Sequence, residues 1–203
     1  MRATSQQDLP DKQRVEEIIV RVQAGERECF SYIVEVYQQP VYRYCCRMLG
    51  NRQDAEDAVQ DVLVKAYQSI RGYKLVVSFS AWLYRIAGNH CLNLLRRRRI
   101  QGQFIRLFRQ EAVALSPEQK LDERLYSPAL EEALGRLSFE ERNLLVLRVF
   151  EEQSFLEISS ILKLSPNALH KRMERIKRKI RETMQTEEGM SWDGQESVMS
   201  TKI

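Results

Sequence analysis

The stretch Ser78 to Arg99, SFSAWLYRIAGNHCLNLLRRRR, constrains the chain most strongly. At 100° per residue, Leu83, Ile86, Ala87, His90 and Leu94 fall on one side of a helix. They form an apolar stripe suited to a core. Trp82, Arg85, Asn89 and Arg96 fall on another side, and this second stripe runs into four consecutive arginines, Arg96 to Arg99. Aromatic and guanidinium planes stack on exposed bases, amides read base edges, and arginine clusters hold phosphates. A helix with one face for a core and one for nucleic acid is the sharp reading. A solvated amphipathic helix with a snorkelling Trp is the bland one.

Helical periodicity recurs from end to end, with Pro and Gly scarce and period-two alternation absent, so the fold class is all-α. The 203 residues suffice for two small domains. Val15, Ile18, Ile19 and Val22 mark a first helix that stops near Ala24-Gly25. A second carries Phe30, Ile33, Val36 and Tyr37, with Pro40 interrupting or kinking it. A third carries Val41, Cys45, Met48 and Leu49 and ends at Gly50-Asn51. The next spans about Gln53 to Ile70 and buries Ala55, Ala58, Val59, Val62 and Ala66. Asp54, Asp57 and Asp61 line an adjacent face of it. A docking stripe for a basic partner, a solvated face and a metal site all remain open there. The metal site is the weakest, because no partnering His or second acidic cluster appears.

The charge is uneven. Net charge is only +4, but Arg96–Arg109 and His170–Arg181 are basic while Glu111–Glu157 is mostly acidic. Polyanion-binding surfaces follow from such asymmetry. No apolar run approaches a membrane span and the N-terminus lacks a signal-peptide core, so a cytoplasmic chain without membrane insertion is expected. Cys29, Cys45, Cys46 and Cys91 form no CxxC pair and are not at ligand spacing from His90 or His170. Buried thiols are expected, with no zinc and no other cofactor.

After Arg99 the pattern loosens. Residues 99–126, with Ser116-Pro117 and mixed charge, read as a linker with room for some helix, and Phe104, Ile105, Leu107 and Phe108 are too apolar for an idle tether. From Ser127-Pro128 helices resume, with Leu130, Leu134 and Leu137 on the first. Ser138 with Glu141, and Ser154 with Glu157, make two capping boxes. Lys163-Leu164-Ser165 is a short turn, and Pro166 opens a long basic helix with Ser165 as its cap. A short helix, a three-residue turn and a longer basic helix have the form of a helix-turn-helix. Leu169, Met173, Ile176 and Ile180 face inward, while Asn167, Lys171, Arg175 and Arg178 point toward a groove and Ala168, His170 and Arg172 flank them. An αα-hairpin with a solvated basic face is the competing reading. Residues 186–203 lack periodicity and read as a disordered tail.

Three blocks together resemble the bacterial RNA polymerase sigma factors of the extracytoplasmic-function (ECF) group: Asp54 to Ala66, Phe79 to Arg98, and Leu130 to Arg181. The resemblance implies an N-terminal promoter-melting domain over 10–98, a flexible linker over 99–126 and a C-terminal helix-turn-helix domain over 127–185. It implies promoter recognition on behalf of core RNA polymerase, with no catalysis by the chain itself. Asp54, Asp57, Gln60 and Asp61 would then dock on the polymerase clamp. Trp82, Arg85, Asn89, Arg96 and Arg97 would lie along the opened minus-ten strand, with Tyr73 and Lys74 in the loop that captures a flipped base. His170, Lys171, Arg172 and Arg175 match groove-facing positions at the minus-thirty-five element, with Asn167 and Arg178 beside them. The linker would thread the transcript-exit channel. Partners would be core RNA polymerase, promoter DNA and an anti-sigma factor.

Some positions depart from that pattern. Leu75-Val76-Val77 replace Gly and small polar residues; Ser80 and Gly88 stand where basic residues are common; Lys163 replaces a turn Gly; Ala168 and His170 replace a hydroxyl and a base. Two other classes compete. A free-standing helix-turn-helix regulator would carry a ligand pocket in residues 14–98, with no need of Trp82, Arg85 and Asn89 leading into four arginines. A metal nuclease would use Asp54, Asp57 and Asp61.

Overall fold

The computed structural model describes residues 12–74, 76–108 and 133–196, with side chains described for 12–74, 76–100 and 133–183. The readings of residues 1–11, Leu75, the linker from 109 on, Ser127-Pro128, Leu130 and the tail beyond 196 lie outside these residues. Every regular element among the described residues is helical.

Helix α1, Lys12–Ala24, buries Val15, Ile19 and Val22 and stops at Gly25, whose φ of 113° suits a residue without Cβ. Helix α2, Phe30–Leu49, is one element, where two helices divided at Pro40 were expected. Pro40 forfeits one hydrogen bond and costs about 3 kcal/mol in a helix interior. Against that stands one unbroken apolar face, Ile33, Tyr37, Val41, Tyr44 and Met48, all buried on both sides of the proline. Each such side chain contributes about 1.5–3 kcal/mol on burial, so the face outweighs the proline. Gly50 then ends the helix with φ 69°, its N–H donating to the Cys46 carbonyl at 2.9 Å.

Helix α3, Arg52–Ser69, starts where the Asn51 side chain accepts from the Asp54 N–H at 3.0 Å. It buries Ala55, Ala58, Val59, Val62 and Ala66 as the spacing predicts, and Leu63 with them. A tight turn at Ile70–Gly72 leads through a loop into α4, Phe79–Phe108. This helix is 30 residues long and runs past Arg98, so the first ten residues of the expected linker, 99–108, are helical. Five of those ten positions, Ile100, Phe104, Ile105, Leu107 and Phe108, are apolar and none is proline, so nothing local stops the helix.

In the C-terminal part, α5, Phe139–Leu145, runs into a wider π-helical turn at Val146–Phe150. Helix α6, Phe155–Leu162, and helix α7, Pro166–Glu196, follow. Both expected capping boxes form, Ser138 with Glu141 and Ser154 with Glu157. Lys163 takes the left-handed conformation, φ 54° and ψ 43°, where glycine is usual; for a lysine this costs about 1–2 kcal/mol. Helix α7 extends ten residues past the expected end near 186.

Tyr44, Ile19, Ile33, Met48, Leu83, Val41 and Val62 fill the centre of the α1–α4 unit, while Leu144, Leu147, Ile158, Leu169 and Ile176 fill that of α5–α7. The two cores are continuous. The two units thus pack on one another, and polar contacts are set into the seam between them. Glu151, buried, accepts from Tyr84 Oη at 2.6 Å and from Arg47 Nη1 at 3.0 Å. Tyr44 Oη donates to Asn143 Oδ1 at 2.8 Å, and Ser78 Oγ donates to Glu157 Oε1 at 3.1 Å. Arg47 also lies over the Phe150 ring, 4.6 Å from its centroid. Gly88 belongs to this seam: a Cβ there would meet Tyr44 Oη at 3.0 Å and Asn143 Nδ2 at 3.3 Å. The missing side chain leaves room for the Tyr44–Asn143 hydrogen bond.

Glu151→Ala removes the acceptor shared by both units and leaves Arg47 and Tyr84 unpaired. The two units are expected to separate while each keeps its helices. Small-angle scattering would read this as a radius of gyration rising from the roughly 17 Å of a compact chain of this length; an unchanged scattering curve with unchanged circular dichroism would refute the assignment.

Candidate nucleic-acid interface

Three groups of side chains predicted from sequence occupy three places on this framework. The first is the acidic stripe of α3. Asp57, Gln60 and Asp61 are exposed, as a docking stripe requires. Asp54 is not: it is half-buried and paired with Arg98 of α4. Its carboxylate ties α3 to the arginine run, so it serves the fold and withdraws Arg98 from the free cations. Asp61 faces His90 Nε2 at 3.7 Å, and Lys65 donates to His90 Nδ1 at 2.5 Å. Burial first, and the Lys65 ammonium second, hold His90 below its ordinary value, so the ring stays neutral. The stripe continues as apolar surface through Val64, 53% exposed, and Tyr67, 36% exposed. The sequence reading missed these two; their spacing of three and six from Asp61 on one helix face was the available signal.

The second place is the loop between α3 and α4 with the first turns of α4. Gln23 of α1 pins the loop, its Nε2 donating to the Ile70 carbonyl at 2.8 Å and the Tyr73 carbonyl at 3.0 Å. Tyr73 and Trp82 do not stand out as stacking platforms. They are only 5% and 8% exposed and pack with Phe79 at centroid separations of 5.2–5.5 Å. Tyr73 Oη donates to the Val77 carbonyl at 2.6 Å. The reason lies in the helical period: Trp82 sits about 60° from Phe79 and about 40° from Ile86, inside a wide apolar arc. What reaches solvent here is Lys74 and Val76, with Arg85 half-buried; Asn89 is exposed two turns past Trp82, and Arg96 and Arg97 are exposed about 21 Å past it along α4.

The third place is the recognition helix α7. Leu169, Met173 and Ile176 are buried and Ile180 half-buried. Asn167, His170, Lys171, Arg175 and Arg178 are exposed and Arg172 is half-buried. Ser165 caps the helix by accepting from the Ala168 N–H at 3.3 Å. A shallow recess is lined by His170, Lys171, Glu174 and Arg175. Lys177 pairs with Glu174 at 2.9 Å, which lowers the negative charge on this face. Among the described residues no group of three or more His, Cys, Asp or Glu side chains is placed to hold a metal ion, and no helix is long and apolar enough to cross a membrane.

Comparison with known proteins is consistent across both units. Residues 33–101 match the family described as sigma-70 region 2, and residues 127–180 match sigma-70 region 4. The ECF RNA polymerase sigma factor SigW of Bacillus subtilis is 28% identical, over 82% of this chain and 94% of its own. The RNA polymerase sigma-H factor of Pseudomonas aeruginosa is 26% identical, over 84% and 93%. In fold, the chain is similar to the sigma factor RpoE solved with the anti-sigma factor NepR from Bartonella quintana, with a TM-score of 0.62 at 22% identity over 77% of this chain and 96% of that one.

His90 links the acidic stripe to α4, and its titration gives a measurable trace. An unfolded histidine takes a proton near pH 6.5, while the folded one resists it. Its contribution is therefore complete above pH 6.5 and is lost as pH falls from there toward its lower folded value. Melting temperatures measured from pH 7 to 5.5 are expected to fall less steeply in His90→Gln than in the parent; equal slopes would refute this.

Proposed function

Since the chain belongs to the ECF group of bacterial RNA polymerase sigma factors, we infer that it binds core RNA polymerase, directs it to promoters of matching sequence and starts transcription there. The observation that carries this is the pairing, in one chain and in the family's order, of an exposed acidic-to-apolar stripe on α3 with a basic recognition helix α7. Asp57, Gln60 and Asp61, extended by Val64 and Tyr67, are the docking surface. Lys74, Asn89, Arg96 and Arg97, spread along α4 and the loop before it, follow the opened minus-ten strand. Asn167, His170, Lys171, Arg175 and Arg178 face the minus-thirty-five groove, Arg172 beside them. The chain carries out no chemistry of its own and works in the cytoplasm, where its polymerase is. An anti-sigma factor is its natural antagonist, as one is for the structural relative solved with NepR.

The closed seam bears on how this work begins. The two promoter elements are centred about 25 base pairs apart, a span of roughly 85 Å at 34–36 Å per helical turn. A compact chain of this length is about 45 Å across. The closed form cannot touch both elements, so promoter engagement requires the units to part and the linker to extend. Weak binding to duplex DNA by the isolated chain follows. A free-standing helix-turn-helix regulator has no use for the docking stripe and would bind duplex tightly without polymerase.

Run-off transcription with core polymerase on a pool of genomic promoters is the direct test; no start-site choice by the purified chain would refute the reading. Asp57→Lys with Asp61→Lys is expected to abolish binding to core polymerase in a pull-down, with circular dichroism unchanged. Lys171→Ala and Arg175→Ala are each expected to cost about 1–3 kcal/mol in promoter selectivity where the side chain reaches a base.

A further inference from the structure

His170 differs from its neighbours on the recognition helix in how it is held. Lysine and arginine on a solvated helix face carry long stems with much rotamer freedom, which must be lost on binding. His170 has a short side chain, and its ring is stacked: the centroid lies 3.9 Å from that of Phe155, with 38° between the planes. Phe155 is the first residue of α6, directly after the Ser154 cap, so the capping box fixes its position. The carboxylate of Glu157 accepts from the Ser154 N–H at 3.0 Å, and the Ser154 hydroxyl accepts from the Glu157 N–H at 3.2 Å.

The Phe155 ring is also held by Arg148, whose guanidinium carbon is 5.0 Å from the ring centroid. Arg148 is itself tethered, donating from Nη1 to the Gln153 carbonyl at 3.1 Å. Gln153 is buried; its N–H donates to the Leu147 carbonyl at 2.9 Å and its Nε2 to the Glu151 carbonyl at 3.0 Å. A rigid loop thus carries Arg148 and Phe155, and Phe155 carries His170. The ring of His170 nonetheless remains exposed, on the recess it shares with Lys171 and Arg175. A planar donor of fixed orientation at a groove-facing position is suited to reading a base edge, whereas mobile cations supply charge.

We propose that Phe155 is a positioning residue for promoter reading: it fixes the His170 ring plane, and through it the preference for one base pair in the minus-thirty-five element. The base-edge partner is a purine, whose N7 or O6 accepts from an imidazole N–H in the major groove. The assignment rests on the promoter-reading function above and adds a residue from the first helix of the helix-turn-helix to it.

The test uses the full chain with core polymerase, on templates carrying every base in turn at each position of the minus-thirty-five element. Run-off yields are compared for the parent, His170→Ala, Phe155→Leu, Phe155→Met, Phe155→Tyr and the double variant Phe155→Leu with His170→Ala. Expected is a loss of preference of about tenfold at one base pair in His170→Ala, the same base pair relaxed in Phe155→Leu and Phe155→Met, and no further loss in the double variant. Phe155→Tyr, which keeps the ring, should retain the parent's preference. The proposal is overturned if the leucine and methionine variants keep the preference, if they lower yield evenly at all positions, or if their losses add to that of His170→Ala. Phe155→Met conserves volume, so it answers the question even if the leucine variant does not fold. A parent chain that shows no promoter choice at all overturns the promoter-reading function and this assignment with it.

Discussion

Glu151 is buried at the meeting of the two helical units, where it accepts hydrogen bonds from Tyr84 and Arg47 of the other unit. Burial pushes its carboxyl above the ordinary value, while Tyr84 and Arg47 pull it back down. A buried ion pair of this kind contributes little net stability, because the attraction is offset by the water both charges give up. Losing one partner is far costlier than losing the whole pair. These polar contacts are set into an apolar seam that joins the two cores, so they fix how the units meet more than they hold them together.

The same economy of surfaces is visible in α4. One side supplies Leu83 and Ala87 to the core of the first unit, the polar edge carries Tyr84 and Gly88 to the seam, and the remaining arc carries Asn89, Arg96 and Arg97 to solvent. Gly88 looks like a departure from the ECF pattern when only the helix is considered. In the folded chain Tyr44 and Asn143 lie so close to it that a Cβ would press on both, at 3.0 Å and 3.3 Å. Its cost to the helix, up to about 1 kcal/mol, is set against the room it leaves for the Tyr44–Asn143 pair.

Much of the reading along the chain stands. The buried face of α3, both capping boxes, the Ser165 cap and the inward face of α7 follow from period 3.6 and cap chemistry, which are local and need no partner. The differences arise where a neighbour overrules a local signal. Pro40 marks a break only until an uninterrupted buried face on both sides is known. Asp54 and Asp61 look equivalent by spacing, yet only Asp54 has Arg98 beside it. Trp82 shares a stripe with Arg85 and Asn89, yet a large ring near the edge of an apolar arc turns inward when Tyr73 and Phe79 await it.

Local order along this chain, helix by helix and cap by cap, was determined by the sequence alone, because those choices are made by residues within four positions of one another. The exposed acidic stripe of α3 and the basic face of α7 were legible for the same reason. Tertiary structure alone decided the pairing of Asp54 with Arg98, the burial of Tyr73 and Trp82, the seam around Glu151 and the stack of His170 on Phe155. Those contacts join residues from 9 positions apart, Tyr73 and Trp82, to 104 apart, Arg47 and Glu151, and no periodicity encodes which of several compatible faces will meet.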